Sequence, residues 1–539
     1  MAYKEPGVYV SYNNNATNTV GADSPLIPCI MGSGAKFMKA KIQVTRSSNS
    51  QVDKLDFSAK GTGDFSIVRI GQTSTSTDYY DDAGIRGTSN YKKIQNYNDS
   101  LDEGQEAKAI ALPKADYTAG VDVDGKIIIT WASDSLTYTD VSGTNYSNGF
   151  EQTVVGEDTY EVRKTRKPDD DFVYFVELIY PVNSTNRPQQ FQVNLVSSDS
   201  EIYETYGDIL SYATSDGTQT EVNRLALGLY LAWVNAGGKS IYGLQVEYNA
   251  ALKNAPDQYD YSSALTKIQV IDSVYRIVPL DLNNNIADVI INHVETMSSP
   301  EEKMERRAFV SYLPDESITS FAKYNELLSS FCKGINNPRI CVVGKYNASI
   351  LAPDGTIINP IDINGSEPFI CAALAGLECS LDYQQSLTNR VLRGFNTIED
   401  IMPLLRTQKN ILASSGVILL EQTGGNNRLL TTVRHSLTTC MQTTVTREPS
   451  ITTILDYVGK GIRASTKNYI GREVISDELL ARVEATGNGV IDDCIQKGIL
   501  IDGSIADIAQ DEANPDSLSI AVSVLPPYPC NYINIVISV

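Results

Sequence analysis

Residues 222–246 read VNRLALGLYLAWVNAGGKSIYGLQV, and the change of period inside this stretch decides the fold class. Val222, Leu225, Leu229 and Trp233 recur at three- and four-residue intervals, the spacing that lines one face of a helix. Gly237-Gly238 ends the pattern, because glycine takes the left-handed conformation that closes a helix without steric cost. Residues 240–246 then read as a strand. The exchange of periods continues outward, with helical spacing over 262–269, 286–297, 318–331 and 368–379 and strands over 275–278, 308–312 and 340–343. Helices and strands in turn predict an α/β layer domain over 203–396.

On the N-terminal side the composition shifts. Residues 41–202 are rich in Thr, Ser, Asp, Asn, Gly and Tyr, with short β-prone runs at 126–131, 172–180 and 191–196. The alternation of Phe191, Val193 and Leu195 has the period of a half-buried strand, so this region reads as a β-rich outer insertion. An apolar strand at 26–31, inside a joining segment 25–40, precedes it. Residues 1–24 read as an arm, with the turn Glu5-Pro6-Gly7, a β-prone run at 8–12 and an Asn-rich tether. Residues 397–530 predict an α+β domain: a helix over 398–412, a hairpin of 416–421 and 428–434, helices over 449–468 and 477–497, and a strand over 517–524. Pro526-Pro527-Tyr528-Pro529 then separates a terminal strand, residues 531–539.

The net charge of −21 argues against nucleic acid as a partner, since binding it requires a positive surface to displace counterions. One window, residues 401–472, departs from this with nine basic residues against three acidic ones; it reads either as a face for an acidic partner or as an ordinary solvated face. No secretory leader pattern opens the chain and no apolar run has the length of a membrane span, so a soluble protein made in a cytoplasm is expected. The eight cysteines lack metal-ligand spacing and read as reduced, mostly buried thiols.

Catalytic constellations are not found. His293 and His435 are the only histidines, and His435, at the end of a β-run with no nucleophile motif nearby, reads as a structural, hydrogen-bonded residue. Gly32-Ser33-Gly34-Ala35-Lys36-Phe37 lacks the first glycine of a phosphate loop and the hydroxyl residue after its lysine. Asp281-Leu282-Asn283-Asn284-Asn285 lacks the turn glycine and the bidentate glutamate of a calcium loop. No cofactor, metal or catalytic residue is assigned, and an enzyme is not expected.

The ends are the unusual feature. Two β-prone segments set off by breakers either fold back onto their own domain or add to the sheet of another chain, where main-chain hydrogen bonds give affinity. Pro6-Gly7-Val8-Tyr9-Val10 resembles the opening of contractile-tail sheath proteins. Leu430-Thr431-Thr432-Val433-Arg434, Arg447-Glu448-Pro449, Tyr469-Ile470-Gly471 and Gly498-Ile499-Leu500 resemble successive landmarks of their C-terminal domain. The resemblance extends through residues 410–421 and fades over 41–200. It implies an α/β core, a C-terminal sheath domain facing a tail tube, and a homopolymer of stacked six-membered rings on that tube. Baseplate and tail terminator proteins are further implied partners, the location is a virion tail assembled in a host cytoplasm, and contraction drives the tube through a cell envelope. It also implies strand exchange between subunits through Val8, Tyr9, Val10 and Tyr12 at one end and Ile533, Ile535, Ile537 and Val539 at the other. In the helix from Pro449, Lys460, Arg463 and Lys467 lie opposite the apolar line of Ile451, Ile454, Leu455, Val458 and Ile462, which makes them candidate tube-facing residues. Another self-assembling virion shell or tube protein is the alternative reading.

Overall fold

The structure, a computed structural model, describes residues 26–46, 52–55, 66–72, 110–111, 117–121, 127–131, 137–139, 145–147, 172–184, 187–214, 219–249, 252–281, 283–313, 318, 320–360, 362, 365–425, 428–533 and 535. They fall into two compact units, one of residues up to Gly34, Gln189–Ile209 and Val222 onward, the other of Ala35–Pro188 and Leu210–Glu221.

The larger unit is built on a seven-stranded sheet of β1 (Ile27–Gly32), β2 (Asn194–Val196), β3 (Ile241–Gln245), β4 (Val274–Pro279), β5 (Arg307–Ser311), β6 (Ile340–Val343) and β7 (Val417–Ile418). Its order is β2-β3-β1-β4-β5-β6-β7, parallel throughout except for the antiparallel edge strand β2. Helices cover both faces. On one side lie α1 (Asp199–Tyr206), α2 (Arg224–Ala236) and α6 (Glu367–Ser380); on the other α3 (Gln258–Thr266), α4 (Asn284–Met297) and α5 (Phe321–Ile335). Burial on both faces is why β1 is a continuous apolar run: Ile30 packs into the first core while Cys29 and Met31 enter the second. Asn223 caps α2 by accepting from the Ala226 amide, and Gly237 closes it at φ 65°. Where α2 and α6 meet, Gly376 is required. A Cβ there would lie 2.0 Å from the Ala232 carbonyl oxygen.

A third core belongs to α8 (Pro449–Thr466), α9 (Asp477–Gln496) and the ribbon of β10 (Asp502–Gln510) and β11 (Leu518–Leu525); α7 (Arg406–Ala413) and the hairpin β8–β9 (Leu420–Gly425, Arg428–Val433) precede it. Ile454, Val458 and Ile462 of α8 pack on Ile491 and Cys494 of α9 and on Ile505, Val522 and Val524 of the ribbon.

The second unit is β-rich. Its six-stranded sheet runs Thr220–Val222, Leu210–Tyr212, Phe37–Arg46, Phe172–Pro181, Ser66–Gln72, Ile110–Ala111, and a three-stranded sheet joins Val52–Leu55, Ile127–Trp131 and Tyr117–Val121. Phe37–Arg46 and Phe172–Pro181 pair in one unbroken antiparallel register.

Several expectations need correction. Residues 191–196 do not extend the β-rich insertion. Pro188–Phe191 is a 3-10 turn and Asn194–Val196 pairs with β3 as the larger unit's edge strand; of the alternating residues only Leu195 lies in that strand, and it is exposed while Val196 is buried. Residues 398–412 are not one helix: Phe395–Asp400 is a strand antiparallel to Tyr346–Leu351, and the helix begins only at Arg406, after Pro403. The hairpin expected from residue 416 is divided, because Val417 and Ile418 complete the parallel sheet and only Leu420 onward pairs with β9. A boundary at 397 therefore cuts through one sheet, and the six-stranded sheet begins at Phe37 and takes back residues 210–222.

Candidate assembly site

The ribbon β10–β11 is an open β-structure, with most of its residues exposed or half-buried. Ile505, Val522 and Val524 face the helices, while Ser504, Ala506, Ser519, Ala521 and Ser523 on the other side are exposed and small. No third strand joins it among the described residues. Asn488 of α9 takes the Ile505 amide at 2.8 Å, beside a bulge between Ile505 and Asp507. A two-stranded ribbon is marginal on its own and here rests on α8 and α9; its outer edges are templates for a further strand.

Beyond β11 the chain turns polar, then apolar. Pro526-Pro527-Tyr528-Pro529 carries one backbone N–H in four residues and cannot continue a ladder. Asn531 donates from its side chain to Glu448 at 3.0 Å, and the Tyr532 ring stands edge-on to His435, 6.2 Å between centroids. Ile533 and Ile535, two of the expected exchange residues, are each 80 % exposed and are not part of a strand. Val8, Tyr9, Val10, Tyr12, Ile537 and Val539 lie outside the described residues.

Helix α8 is not a two-faced surface helix. It is locked by charge to the N-terminal ends of the parallel strands. Asp456, fully buried, receives both terminal nitrogens of Arg339 at 2.6 and 2.7 Å and the Tyr275 hydroxyl at 2.7 Å. Lys460 bonds the Asp272 carboxylate at 2.5 Å, and Arg463 bonds Glu305 at 2.5 Å. Of the three candidate tube-facing cations, Lys467 is the one the structure leaves exposed; the side chains of Lys460 and Arg463 are turned inward onto these carboxylates. The wider basic window is largely neutralised in the same way. Among the described side chains, Lys409, Arg434, Arg447, Lys460 and Arg463 are in ion-pair range of carboxylates, three of those carboxylates (Asp400, Asp272 and Glu305) coming from outside the window.

Behind this seam lies a charged triplet that sequence reasoning missed. Glu378 near the end of α6 accepts from Arg276 Nε at 2.5 Å and Arg307 Nη1 at 2.7 Å, and the same Arg307 nitrogen reaches Thr453 of α8 at 2.9 Å. Burial pushes the Glu378 carboxyl up, but the two guanidiniums outweigh it and hold the group at about 2. The only signal in the sequence was Glu305-Arg306-Arg307 running directly into an apolar strand. His435, expected to be structural, sits 3.2 Å from the buried carboxylate of Glu448.

In open α/β sheets ligands settle outside the C-terminal ends of the strands. Here that position, after β1 and β4, is occupied by protein. Asp281 accepts the Ser33 amide at 2.9 Å, the Ser33 hydroxyl at 2.6 Å and the Tyr261 hydroxyl at 2.8 Å, with Arg224 3.6 Å away. A Cβ at Gly34 would collide with Gln245. The turn that resembled a phosphate loop is thus packed shut, and no group of His, Cys, Asp and Glu residues suited to a metal ion occurs among the described residues. No helix of the described residues is long and apolar enough to cross a membrane.

No protein-family model matches the chain. Over 348 residues it is 25 % identical to the tail sheath protein of Mycobacterium phage Bxz1, a match covering 64 % of this chain and 56 % of the relative. The match thus spans little more than half the length of that curated relative. Among solved structures the chain is similar to the helical sheath of the anti-feeding prophage in its contracted state, with a TM-score of 0.48, 13 % identity and 65 % and 89 % of the two chains covered. It is also similar to the sheath tail proteins of Listeria innocua (TM-score 0.40, 13 % identity, 94 % and 93 % covered) and Desulfitobacterium hafniense (TM-score 0.37, 10 % identity, 97 % and 100 % covered).

Proposed function

We propose that this chain, a relative of phage tail sheath proteins, is the structural subunit of a contractile tail sheath. The observation that carries the reading is the 25 % identity over 348 residues to a tail sheath protein. Physical features agree with it. A ribbon with open edges and an exposed apolar C-terminal segment are the two halves of a strand-addition contact, one acceptor and one donor, on the same chain. A contact between different patches of identical chains is heterologous, so it repeats from copy to copy and builds rings where the rotation closes and helical polymers where it does not.

Subunits then stack as six-membered rings around a tail tube, with Val8, Tyr9, Val10 and Tyr12 and Ile533, Ile535, Ile537 and Val539 crossing to neighbours. Contraction moves the body between two packings of the polymer, with the extended form held by a kinetic barrier. The buried ion pairs between α8 and the parallel sheet would keep each body intact while the crossing segments flex. Of the tube-facing candidates Lys460, Arg463 and Lys467, the contact is assigned to Lys467, since Lys460 is itself buried and paired with Asp272 and Arg463 is paired with the buried Glu305.

Negative-stain electron microscopy of the full-length protein beside a version lacking residues 1–20 and 531–539 tests the reading. Hollow striated tubes from the full-length chain alone are expected. Monomers from both, with added tube protein present, would overturn it.

A further inference from the structure

We propose that Glu448 is a latch that fixes where, and in which direction, the C-terminal segment leaves the body. The interpretation of that segment as a link to a neighbouring copy rests on the sheath reading; the latch itself is a property of the single chain.

Glu448 stands at the N-terminus of α8, directly before Pro449, and is fully buried. Its carboxylate makes no bond to the helix amides. Its Oε1 instead collects His435 Nε2 at 3.2 Å, Arg447 Nε at 3.2 Å and Asn531 Nδ2 at 3.0 Å, from three separate parts of the chain. Oε2 is buried with no hydrogen-bond partner, and so is the Asn531 side-chain oxygen. A buried carboxylate needs its donors, and here one of them belongs to the outgoing segment.

The segment is gripped at one place. Its proline-rich approach is stiff, Asn531 and Tyr532 touch Glu448 and His435, and Ile533 and Ile535 beyond them are exposed. Because, among the described residues, one side-chain hydrogen bond and one ring-edge contact hold the joint, it can open without disturbing the core; Arg447 and His435 remain on the carboxylate when Asn531 leaves. The latch therefore holds the segment in a defined direction before it meets a partner, and yields when the partner moves.

Cys530 supplies the probe. It is exposed, one residue from Asn531, while the other cysteines are buried apart from half-buried Cys379. A nitroxide on Cys530 in a Cys379→Ser background, in the unassembled full-length protein, should give a slow-motion spectrum. Asn531→Ala should shorten the label's correlation time several-fold with thermal unfolding unchanged, and His435→Ala, which removes the ring beside Tyr532 and one partner of Glu448, should do so to a smaller degree. Spectra unchanged in both variants would overturn the latch, as would a parent label already moving freely. Tube formation by the parent is scored separately by electron microscopy, so its failure counts against the sheath reading while the spectra still judge the latch.

Discussion

Replacing Glu378 by Gln tests whether the charged triplet holds α6, the sheet and α8 together. The side chain lies between Arg276 and Arg307, which are 3 % and 0 % exposed, so removing its charge leaves two buried guanidiniums facing an amide. The gap between the ordinary carboxyl value of 4.5 and about 2 corresponds to about 3 kcal/mol, at roughly 1.4 kcal/mol per pH unit. Breaking one member of a buried ionic group costs about 3–5 kcal/mol in general, which agrees. The expected loss for Glu378→Gln is therefore about 3–5 kcal/mol, read by urea unfolding followed through Trp233 of α2, which packs on α6, in a Trp131→Phe background. Because the folded carboxyl titrates below the unfolded one, this stability is present above pH 4.5 and is lost as pH falls through about 2; the variant should lack that dependence. Changing all three residues to apolar ones, Arg276→Met, Arg307→Met and Glu378→Leu, should come close to the parent, since no uncompensated charge remains. A loss under about 1 kcal/mol for Glu378→Gln, with the triple change the worse of the two, would refute the reasoning.

Burial, helped by repulsion from Arg306, lowers the His293 imidazole to about 4. The unfolded chain then takes up this proton first, so stability should decline as pH falls from about 6.5 towards 4, by about 3 kcal/mol at most, and a His293→Gln chain should show a flatter unfolding profile in that window. Gly376→Ala should destabilise by about 1–3 kcal/mol or more in the same urea assay, because the new methyl meets the backbone of Ala232, which cannot turn away; a neutral result would mean that α2 and α6 separate freely. Lys467→Glu should leave the melting temperature unchanged and reduce polymerisation on purified tubes, whereas Arg463→Glu, set against Glu305, should lower stability first; normal assembly of the Lys467 variant would remove the tube contact from this helix.

Where the structure departs from the local sequence pattern, the cause is a distant partner. Around Ile398 and Val417 the short apolar runs fit either period, and the partner that decides between helix or hairpin and sheet strand is distant: Ala348 for the first, Val342 for the second. For Lys460 and Arg463 a helical projection shows direction but not depth. Asp272 and Glu305, which neutralise them, are more than 150 residues earlier in the chain.

By itself the sequence determined the alternation of helices and strands from Val222 onward, the stop at Gly237, the absence of a recognisable catalytic motif and the two terminal segments set off by breakers. These are local properties, fixed by side-chain period, glycine freedom and proline geometry, and they are written within a few residues of where they act. Only the tertiary structure decided that β1 lies in the middle of a sheet completed by Val417 and Ile418, that α8 is locked by buried charge, and that Glu448 holds Asn531. Those depend on which residues meet after the chain has closed long loops, and burial changes the meaning of a charge from a solvated surface group to one that must find its counter-ion.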